Sequence, residues 1–142
     1  MSPRWESNPD VRTGRHVTYN LHVHLVFVTK YRRDIFDDDM LRRCEKIMRE
    51  VCIGFEAELR EFNGEADHVH LLVHYPPKVP LSKLINSLKG VSSRYLRAEH
   101  GGRINRVGMG SAFWSRSYFA GSCGGAPLAV VREYIEGQKR PI

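Results

Sequence analysis

The stretch Asp67-His68-Val69-His70-Leu71-Leu72-Val73 places two histidines around a β-branched residue and follows them with apolar residues only. This composition is typical of a β-strand that packs against a core. Because side chains alternate between the two faces of a strand, we expect both imidazole rings on one face, with Val69 and Leu71 on the buried face. The stretch therefore predicts a strand that carries a pair of metal ligands.

A second pair of candidate functional side chains lies near the C-terminus. Tyr134 and Gln138 are four residues apart, and this spacing puts a phenol and an amide on one face of a helix. Two imidazoles and one amide oxygen, without a thiolate, leave open coordination positions for substrate oxygens and suit Mg²⁺ or Mn²⁺. We predict that His68, His70 and Gln138 bind such an ion, which activates a phosphate for attack by Tyr134.

Size and charge limit the classes of protein to which the chain could belong. Its 142 residues fit one domain, and a net charge of +6 with a pI near 9.5 favours a polyanionic partner. No apolar stretch is long enough to span a membrane, and the N-terminus lacks the apolar core of a signal peptide, so we expect a cytoplasmic protein. Cys44, Cys52 and Cys123 have no Cys-x-x-Cys spacing and are predicted to be small buried hydrophobic residues.

The order of predicted elements indicates the fold class. Residues 1–15 form a loose basic arm, and a single domain occupies residues 16–142. The first half of the domain is predicted to contain a strand over 18–31, a helix that starts at Asp37–Asp39 and extends to about residue 55, and a strand over 56–62. A turn at Asn63-Gly64 then leads into the histidine strand. The second half is predicted to contain a helix over 81–97 that His100-Gly101-Gly102 ends, a strand centred on 113–119, a linker over 122–127 and a terminal helix. This β-α-β-β-α-β order with an added helix predicts an α+β protein with a ferredoxin-like antiparallel sheet.

The stretch Asp67–Val73 resembles the His-hydrophobic-His motif of the single-tyrosine HUH transposases, the IS200-like and REP-type enzymes of small bacterial insertion sequences. Four further segments are similar to this family and follow in the family's order: residues 24–32 to its first strand, 88–94 to its second helix, 113–119 to its last strand and 134–138 to its catalytic helix. The resemblance covers nearly the whole chain from His16 onward.

The resemblance implies an RRM-like sheet, a homodimer, and a substrate of single-stranded DNA that carries imperfect hairpins. In such a transposase Tyr134 forms a 5′-phosphotyrosine and releases a 3′-hydroxyl, and the strands are then rejoined by transesterification. His68, His70 and Gln138 hold the divalent metal ion, with no small-molecule cofactor and no membrane. The tyrosine helix serves either its own histidines or those of the partner subunit, and both arrangements stay open.

Several other residues are candidates for contacts in or near this site. Asp67 either orients a ligand histidine or is a solvated turn residue. The basic residues that could contact DNA phosphates are Lys30, Arg32, Lys83, Lys89, Arg94 and Arg97. On the second helix the basic side could equally be an ordinary solvated face.

Other patterns suggest alternatives to this mechanism. His22 and His24 form a second histidine pair that we interpret as structural or near DNA, and without a third alternating histidine a histidine-triad nucleotide hydrolase is disfavoured. Tyr118 is a rival nucleophile, but beside Trp114 and Phe119 it is better suited to core packing or base stacking. Two alternative functions are a host-adopted enzyme that nicks and joins single strands, and a non-catalytic RRM-like module that binds RNA.

Overall fold

The structure is a computed structural model that describes residues 11–122 and 133–138. The strands are β1 (Arg12–Gly14), β2 (Val17–Tyr19), β3 (His22–Val28), β4 (Glu58–Glu65), β5 (His68–His74) and β6 (Phe119–Ser122), and the helices are α1 (Asp38–Gly54) and α2 (Leu81–Arg106). The main sheet has the order β4-β5-β3-β6 with antiparallel neighbours. This is the predicted ferredoxin-like arrangement. No helix in the described ranges is long and apolar enough to cross a membrane.

The hydrophobic core lies between the two helices and one face of the sheet. Alternate residues of β3 and β5 point into it, and Val69 and Leu71 are buried as the sequence predicted. The core side chains of these strands and of α2 include Val23, Leu25, Phe27, Val69, Leu71, Val73, Leu84, Ile85 and Leu88. Both helices therefore cover one face of the sheet, and the histidines lie on the opposite face.

Helix α1 begins where the three aspartates predicted it. Asp37 is the N-cap and its Oδ1 accepts a hydrogen bond of 2.8 Å from the Met40 backbone N–H. This hydrogen bond holds the pKa of the Asp37 carboxyl below its usual value. Cys44 and Cys52 of this helix are buried free thiols as predicted, and burial raises the pKa of Cys52 to about 12. Cys123 lies outside the described residues.

The hairpin turn predicted at Asn63-Gly64 is wrong. Strand β4 continues through both residues, with Asn63 opposite His70 and Gly64 opposite Val69. A Cβ on Gly64 would lie 2.5 Å from Cδ2 of Leu41 and 3.1 Å from the His68 carbonyl oxygen, so Gly64 is a closely packed position within a strand and not a turn residue. The turn lies at Ala66-Asp67, where the Ala66 carbonyl accepts hydrogen bonds from the backbone N–H groups at positions 35 and 36.

The predicted break at His100-Gly101-Gly102 is also wrong. Helix α2 has a kink at His100, where φ is −128° and ψ is 28°, and then continues to Arg106. Contacts with the loop before α1 account for this extension, because the Arg103 Nε donates a 2.7 Å hydrogen bond to the Ile35 carbonyl and Ile104 is buried. Tertiary contacts thus outweigh the low helix propensity of the two glycines.

The N-terminal elements differ from the predicted arm and first strand. Arg12–Gly14, which the sequence placed in the arm, form β1 and pair with β2. The strand predicted over 18–31 is divided into β2 and β3, and it ends in a short 3₁₀ turn at Lys30–Arg32. Residues 1–10 of the arm lie outside the described residues.

The last strand begins later than predicted because the chain bulges out of the sheet. Trp114 forms one isolated bridge with Thr29, and regular pairing resumes only at Phe119, opposite Val26. Three residue steps separate positions 26 and 29, whereas five separate positions 114 and 119, so the edge chain carries two extra residues. We call residues 115–118 the edge bulge. Of the predicted linker, Ser122 belongs to β6 and residues 123–127 lie outside the described residues.

A buried hydrogen bond joins the start of the edge bulge to helix α2. The Trp114 Nε1 donates to the Ser92 hydroxyl at 3.0 Å, and that hydroxyl donates to the Leu88 carbonyl at 2.6 Å. Ser92→Ala would leave the buried indole N–H without its acceptor, so we expect a loss of about 1–3 kcal/mol in the free energy of unfolding, measured with urea. The control Ser93→Ala should cost less than about 0.5 kcal/mol. Equal losses in the two variants would contradict this role of the hydrogen bond.

Candidate active site

His68 and His70 lie together on the face of the sheet opposite the helices. Both side chains are half-buried, and their ring centroids are 6.3 Å apart. Burial, reinforced by the neighbouring His68 and His24, lowers the pKa of His70 to about 4. His70 is therefore neutral near pH 7, which is the form that binds a metal ion. The strand geometry predicted from the sequence is confirmed.

Asp67 is buried and holds His68 through one carboxylate oxygen. The His68 Nδ1 lies 2.8 Å from Asp67 Oδ1, and the second oxygen accepts a 2.9 Å hydrogen bond from the Arg32 Nε. This arrangement favours the tautomer with a proton on Nδ1, which leaves the lone pair of His68 Nε2 for a metal ion. Because Asp67 is only 7% exposed, it is not a solvated turn residue.

The chain after β3 adopts an unusual backbone conformation next to these groups. Tyr31 and Arg32 both have positive φ values, 58° and 54°, which is costly for non-glycine residues. The Arg32 N–H donates to the Thr29 carbonyl at 2.8 Å, while the Arg32 side chain binds Asp67. Hydrogen bonds from both the backbone and the side chain of Arg32 thus stabilise the positive φ values at Tyr31 and Arg32, which the sequence did not predict.

Tyr134 and Gln138 meet at the edge bulge. The Tyr134 hydroxyl lies 2.8 Å from the Ser117 Oγ, and the Gln138 Oε1 accepts hydrogen bonds from the hydroxyls of Ser115 and Ser117 at 3.1 and 3.3 Å. The two side chains share one side of the terminal segment, as their spacing predicted. Sequence reasoning missed both serines because it assigned them to a regular strand.

The tyrosine segment packs on the same face of the sheet as the histidines. Tyr134 lies against Phe119, with 5.9 Å between ring centroids, and joins a small apolar cluster around Val26 and Val28. Val26 is the residue directly opposite His70 in the β3–β5 pairing. The candidate nucleophile and the histidine pair therefore lie on one side of a single sheet.

A cavity of about 270 Å³ adjoins Gln138. Its lining residues are Thr29, Lys30, Tyr31, Arg32, Ser115, Gly137 and Gln138. Two cationic side chains beside an amide make this cavity suitable for a phosphate group. A larger cavity of about 750 Å³ is lined by residues from the opposite end of β3, such as Asn20 and His22, and does not include the histidine pair His68 and His70.

Comparison with known proteins identifies the family. The family model described as "Transposase IS200 like" matches residues 17–138. This chain belongs to the IS200-like transposases. It is 33% identical over 129 residues to the transposase for insertion sequence element IS200 of Salmonella typhimurium, covering 91% of this chain and 84% of that protein. It is 26% identical over 129 residues to the ISDra2 transposase TnpA of Deinococcus radiodurans, covering 91% of each.

Two solved structures share the fold of this transposase. A crystal structure described as that of a possible transposase from Deinococcus radiodurans superposes with a TM-score of 0.80 at 26% identity, covering 92% of this chain and 99% of the other. A REP-associated tyrosine transposase bound to a REP hairpin superposes with a TM-score of 0.55 at 10% identity, covering 89% and 69%. The second similarity shows a common fold alone.

Lys89 of the transposase supports the edge bulge. Its Nζ donates hydrogen bonds to the carbonyls of Ser115 and Arg116 at 2.8 and 3.2 Å, and burial lowers the pKa of Lys89. These contacts occupy the ammonium group that the sequence suggested for DNA. We therefore assign Lys89 to positioning of the segment that binds Tyr134.

The basic residues on α2 are separated from the site. Lys83 and Arg94 are exposed, and Arg97 donates a 3.0 Å hydrogen bond to the Gly110 carbonyl. Because α2 packs on the core face of the sheet, these three residues lie on the other side of it from the histidines. The structure thus places Lys30 and Arg32 in the lining of the cavity beside Gln138, whereas Lys83, Arg94 and Arg97 lie away from it.

The remaining sequence candidates have local structural contacts. The His22 ring stacks on His74 with 4.2 Å between centroids, and its Nδ1 lies 2.7 Å from the Asn20 side-chain oxygen. This favours the structural interpretation of His22. Tyr118 is 38% exposed and packs edge-on against Phe27 beneath Lys89.

The contact between Ser117 and Tyr134 leads us to predict how the pKa of the Tyr134 phenol changes when Ser117 is replaced. Burial raises the pKa of the Tyr134 phenol, and the hydrogen bond between Tyr134 and the Ser117 hydroxyl opposes this rise. We expect Ser117→Ala to raise the Tyr134 pKa further, because it removes the hydroxyl that can rotate away from Gln138 and donate a hydrogen bond to the phenolate. The measurement is the ultraviolet titration of phenolate, taken as the difference between each protein and its Tyr134→Phe counterpart. The control Ser111→Ala should not change this pKa, and an unchanged or lower value in Ser117→Ala would contradict the prediction.

Proposed function

We propose that this transposase cleaves and rejoins single-stranded DNA by transesterification, with Tyr134 as the nucleophile. One observation carries the proposal: Tyr134 and Gln138 are bound by the same edge bulge on the face of the sheet that bears His68 and His70. A non-catalytic module that binds nucleic acid would not need this convergence of a phenol, an amide and two imidazoles.

The reaction exchanges one phosphodiester for another. The Tyr134 oxygen forms a bond to phosphorus, the bond from phosphorus to the 3′ oxygen breaks, and the phenolic proton is ultimately taken up by the released 3′ oxygen. The product is a 5′-phosphotyrosine that conserves the energy of the phosphodiester, so a new 3′-hydroxyl can reverse the step and join the strands. Burial disfavours the phenolate. The Ser117 hydroxyl, once rotated away from Gln138, would donate a hydrogen bond to the Tyr134 oxygen as that oxygen loses its proton.

The side chains of the site fit a divalent metal ion such as Mg²⁺ or Mn²⁺. His68 has a free Nε2 because Asp67 holds its Nδ1, and His70 is neutral. Gln138 would supply an amide oxygen on giving up at least one of the hydrogen bonds that this oxygen accepts from Ser115 and Ser117. When bound, the ion polarises the scissile phosphate and stabilises the charge that develops on it.

The proposed substrate is single-stranded DNA with hairpin ends, bound by a homodimer. Lys30 and Arg32 line the cavity beside Gln138 and would contact the phosphates next to the cleavage point. The REP-associated transposase of similar fold is bound to a REP hairpin, which supports a hairpin ligand here. Because Tyr134 packs against Phe119 of its own chain, we propose that it serves the histidines of the same subunit.

Covalent trapping tests the nucleophile. The transposase is incubated with Mg²⁺ or Mn²⁺ and single-stranded oligonucleotides from the flanks of its gene, and protein–DNA adducts are separated on a denaturing gel. We expect an adduct with the wild type and with the control Tyr118→Phe, but a yield below detection with Tyr134→Phe. An undiminished adduct in Tyr134→Phe, or none with any flank, would refute the mechanism.

The orientation of His68 by Asp67 can be tested separately through the Mn²⁺ requirement of adduct formation. Asp67→Asn weakens the acceptor that orients His68, and loss of such a partner typically costs about 10–100-fold in metal affinity or activity. We expect the Mn²⁺ concentration for half-maximal adduct formation to rise by about that factor. The control Asp38→Asn, in the first turn of α1, should leave it unchanged. An unchanged Mn²⁺ requirement in Asp67→Asn would show that the carboxylate does not orient a ligand.

A further inference from the structure

Glu65 lies at the end of β4, directly opposite His68 of β5. Residues that face each other in an antiparallel pair point to the same side of the sheet, with Cβ atoms about 4.5–5.5 Å apart. The same register places Asn63 opposite His70. Glu65 therefore belongs to the face that carries the histidine pair, although the sequence analysis did not single it out.

The Glu65 carboxylate is close to His68, one of the proposed metal ligands, and to Asp67. One oxygen each from Glu65 and Asp67 and one ring nitrogen of His68 all lie within 4.8 Å of one another. The Asp67 carboxylate is already bound to His68 and Arg32. Glu65 is exposed, and within the part of the chain that the structure describes its carboxylate has no hydrogen bond or ion pair.

The charge balance of the site also favours an added carboxylate. Histidines bind metal ions as uncharged imidazoles and Gln138 carries no charge, while the negative charge of Asp67 is compensated by the Arg32 guanidinium. A divalent cation would therefore meet no uncompensated negative charge from these ligands before DNA binds. Glu65 would supply one, through the hard oxygen ligand that Mg²⁺ and Mn²⁺ prefer.

We propose that Glu65 is a further protein ligand of the divalent ion held by His68 and His70. This inference rests on the proposed function, because it concerns the same ion. Two imidazoles and a carboxylate would hold the ion in the absence of DNA, and positions that they leave open would accept phosphate oxygens. The metal site would then draw on two neighbouring strands, β4 and β5.

Binding of Mn²⁺ to the full-length protein without DNA tests this proposal, with free Mn²⁺ followed by electron paramagnetic resonance. We expect Glu65→Gln to weaken Mn²⁺ binding at least tenfold, since loss of even an outer partner of a ligand typically costs about 10–100-fold. The matched control is Glu61→Gln, on the same strand and face but opposite Leu72. It should bind Mn²⁺ like the wild type. Glu65→Thr, which also suits a strand, should show the same loss as Glu65→Gln.

The titration is repeated in about 1 M NaCl, where the Debye length is about 3 Å, to separate direct coordination from a distant charge effect. A direct ligand keeps the difference between wild type and Glu65→Gln at high salt. If that difference disappears, Glu65 acts only as a nearby charge and the proposal is wrong.

A variant with both His68 and His70 replaced by alanine separates this proposal from the proposed function. If this variant loses Mn²⁺ while Glu65→Gln binds it like the wild type, the role of Glu65 is refuted and the histidine site stands. If the wild type does not bind Mn²⁺, or the double variant binds it equally well, the histidines do not hold the ion and both proposals fail.

Discussion

The antiparallel pairing of β3 with β5 is the constraint on which the rest of this transposase depends. The register runs without interruption from His22 opposite His74 to Val28 opposite His68. It directs one set of alternate side chains to the helices and the other set to the site. A shift by one residue would exchange the two faces, putting His68 and His70 into the core and Val69 into the site.

The edge of the sheet formed by β6 provides the groups that bind Tyr134 and Gln138, because the chain before β6 departs from regular strand pairing. Between Trp114 and Phe119 the chain carries two more residues than its partner strand, and the edge bulge that results presents Ser115 and Ser117. Two contacts from α2 hold the bulge: the buried Ser92–Trp114 hydrogen bond and the hydrogen bonds that the Lys89 ammonium donates to it. Helix α2 thus stabilises the core and also determines where the Tyr134 hydroxyl is bound.

Electrostatics at the histidine pair follow from partial burial. Desolvation keeps His70 neutral, whereas the buried Asp67 carboxylate is stabilised by hydrogen bonds from Arg32 and His68. The backbone is strained at Tyr31 and Arg32, and the Arg32 guanidinium binds Asp67. The burial of His70, the strained backbone at Arg32 and the orientation of His68 by Asp67 therefore all occur in one small region around His68.

The sequence by itself determined what depends on neighbouring residues along the chain. Alternation of apolar residues identified the histidine strand and its faces, the aspartates marked the start of α1, and the order of elements identified the sheet. The spacing of Tyr134 and Gln138 identified a shared helix side, and the resemblance to a family supplied the roles that we propose for them. These signals are local, and the structure agrees with the fold that they predict.

Only the tertiary structure decided features that depend on residues far apart in the chain. Gly64 belongs to a strand because β4 keeps pairing with β5 through Gly64 opposite Val69. Helix α2 continues beyond Gly101 and Gly102 because Arg103 and Ile104 make tertiary contacts. Ser117 reaches Tyr134 only because of the edge bulge, and Glu65 faces His68 only through strand register. Local propensities differ by about 1 kcal/mol or less per residue, so packing and hydrogen bonds between distant segments override them.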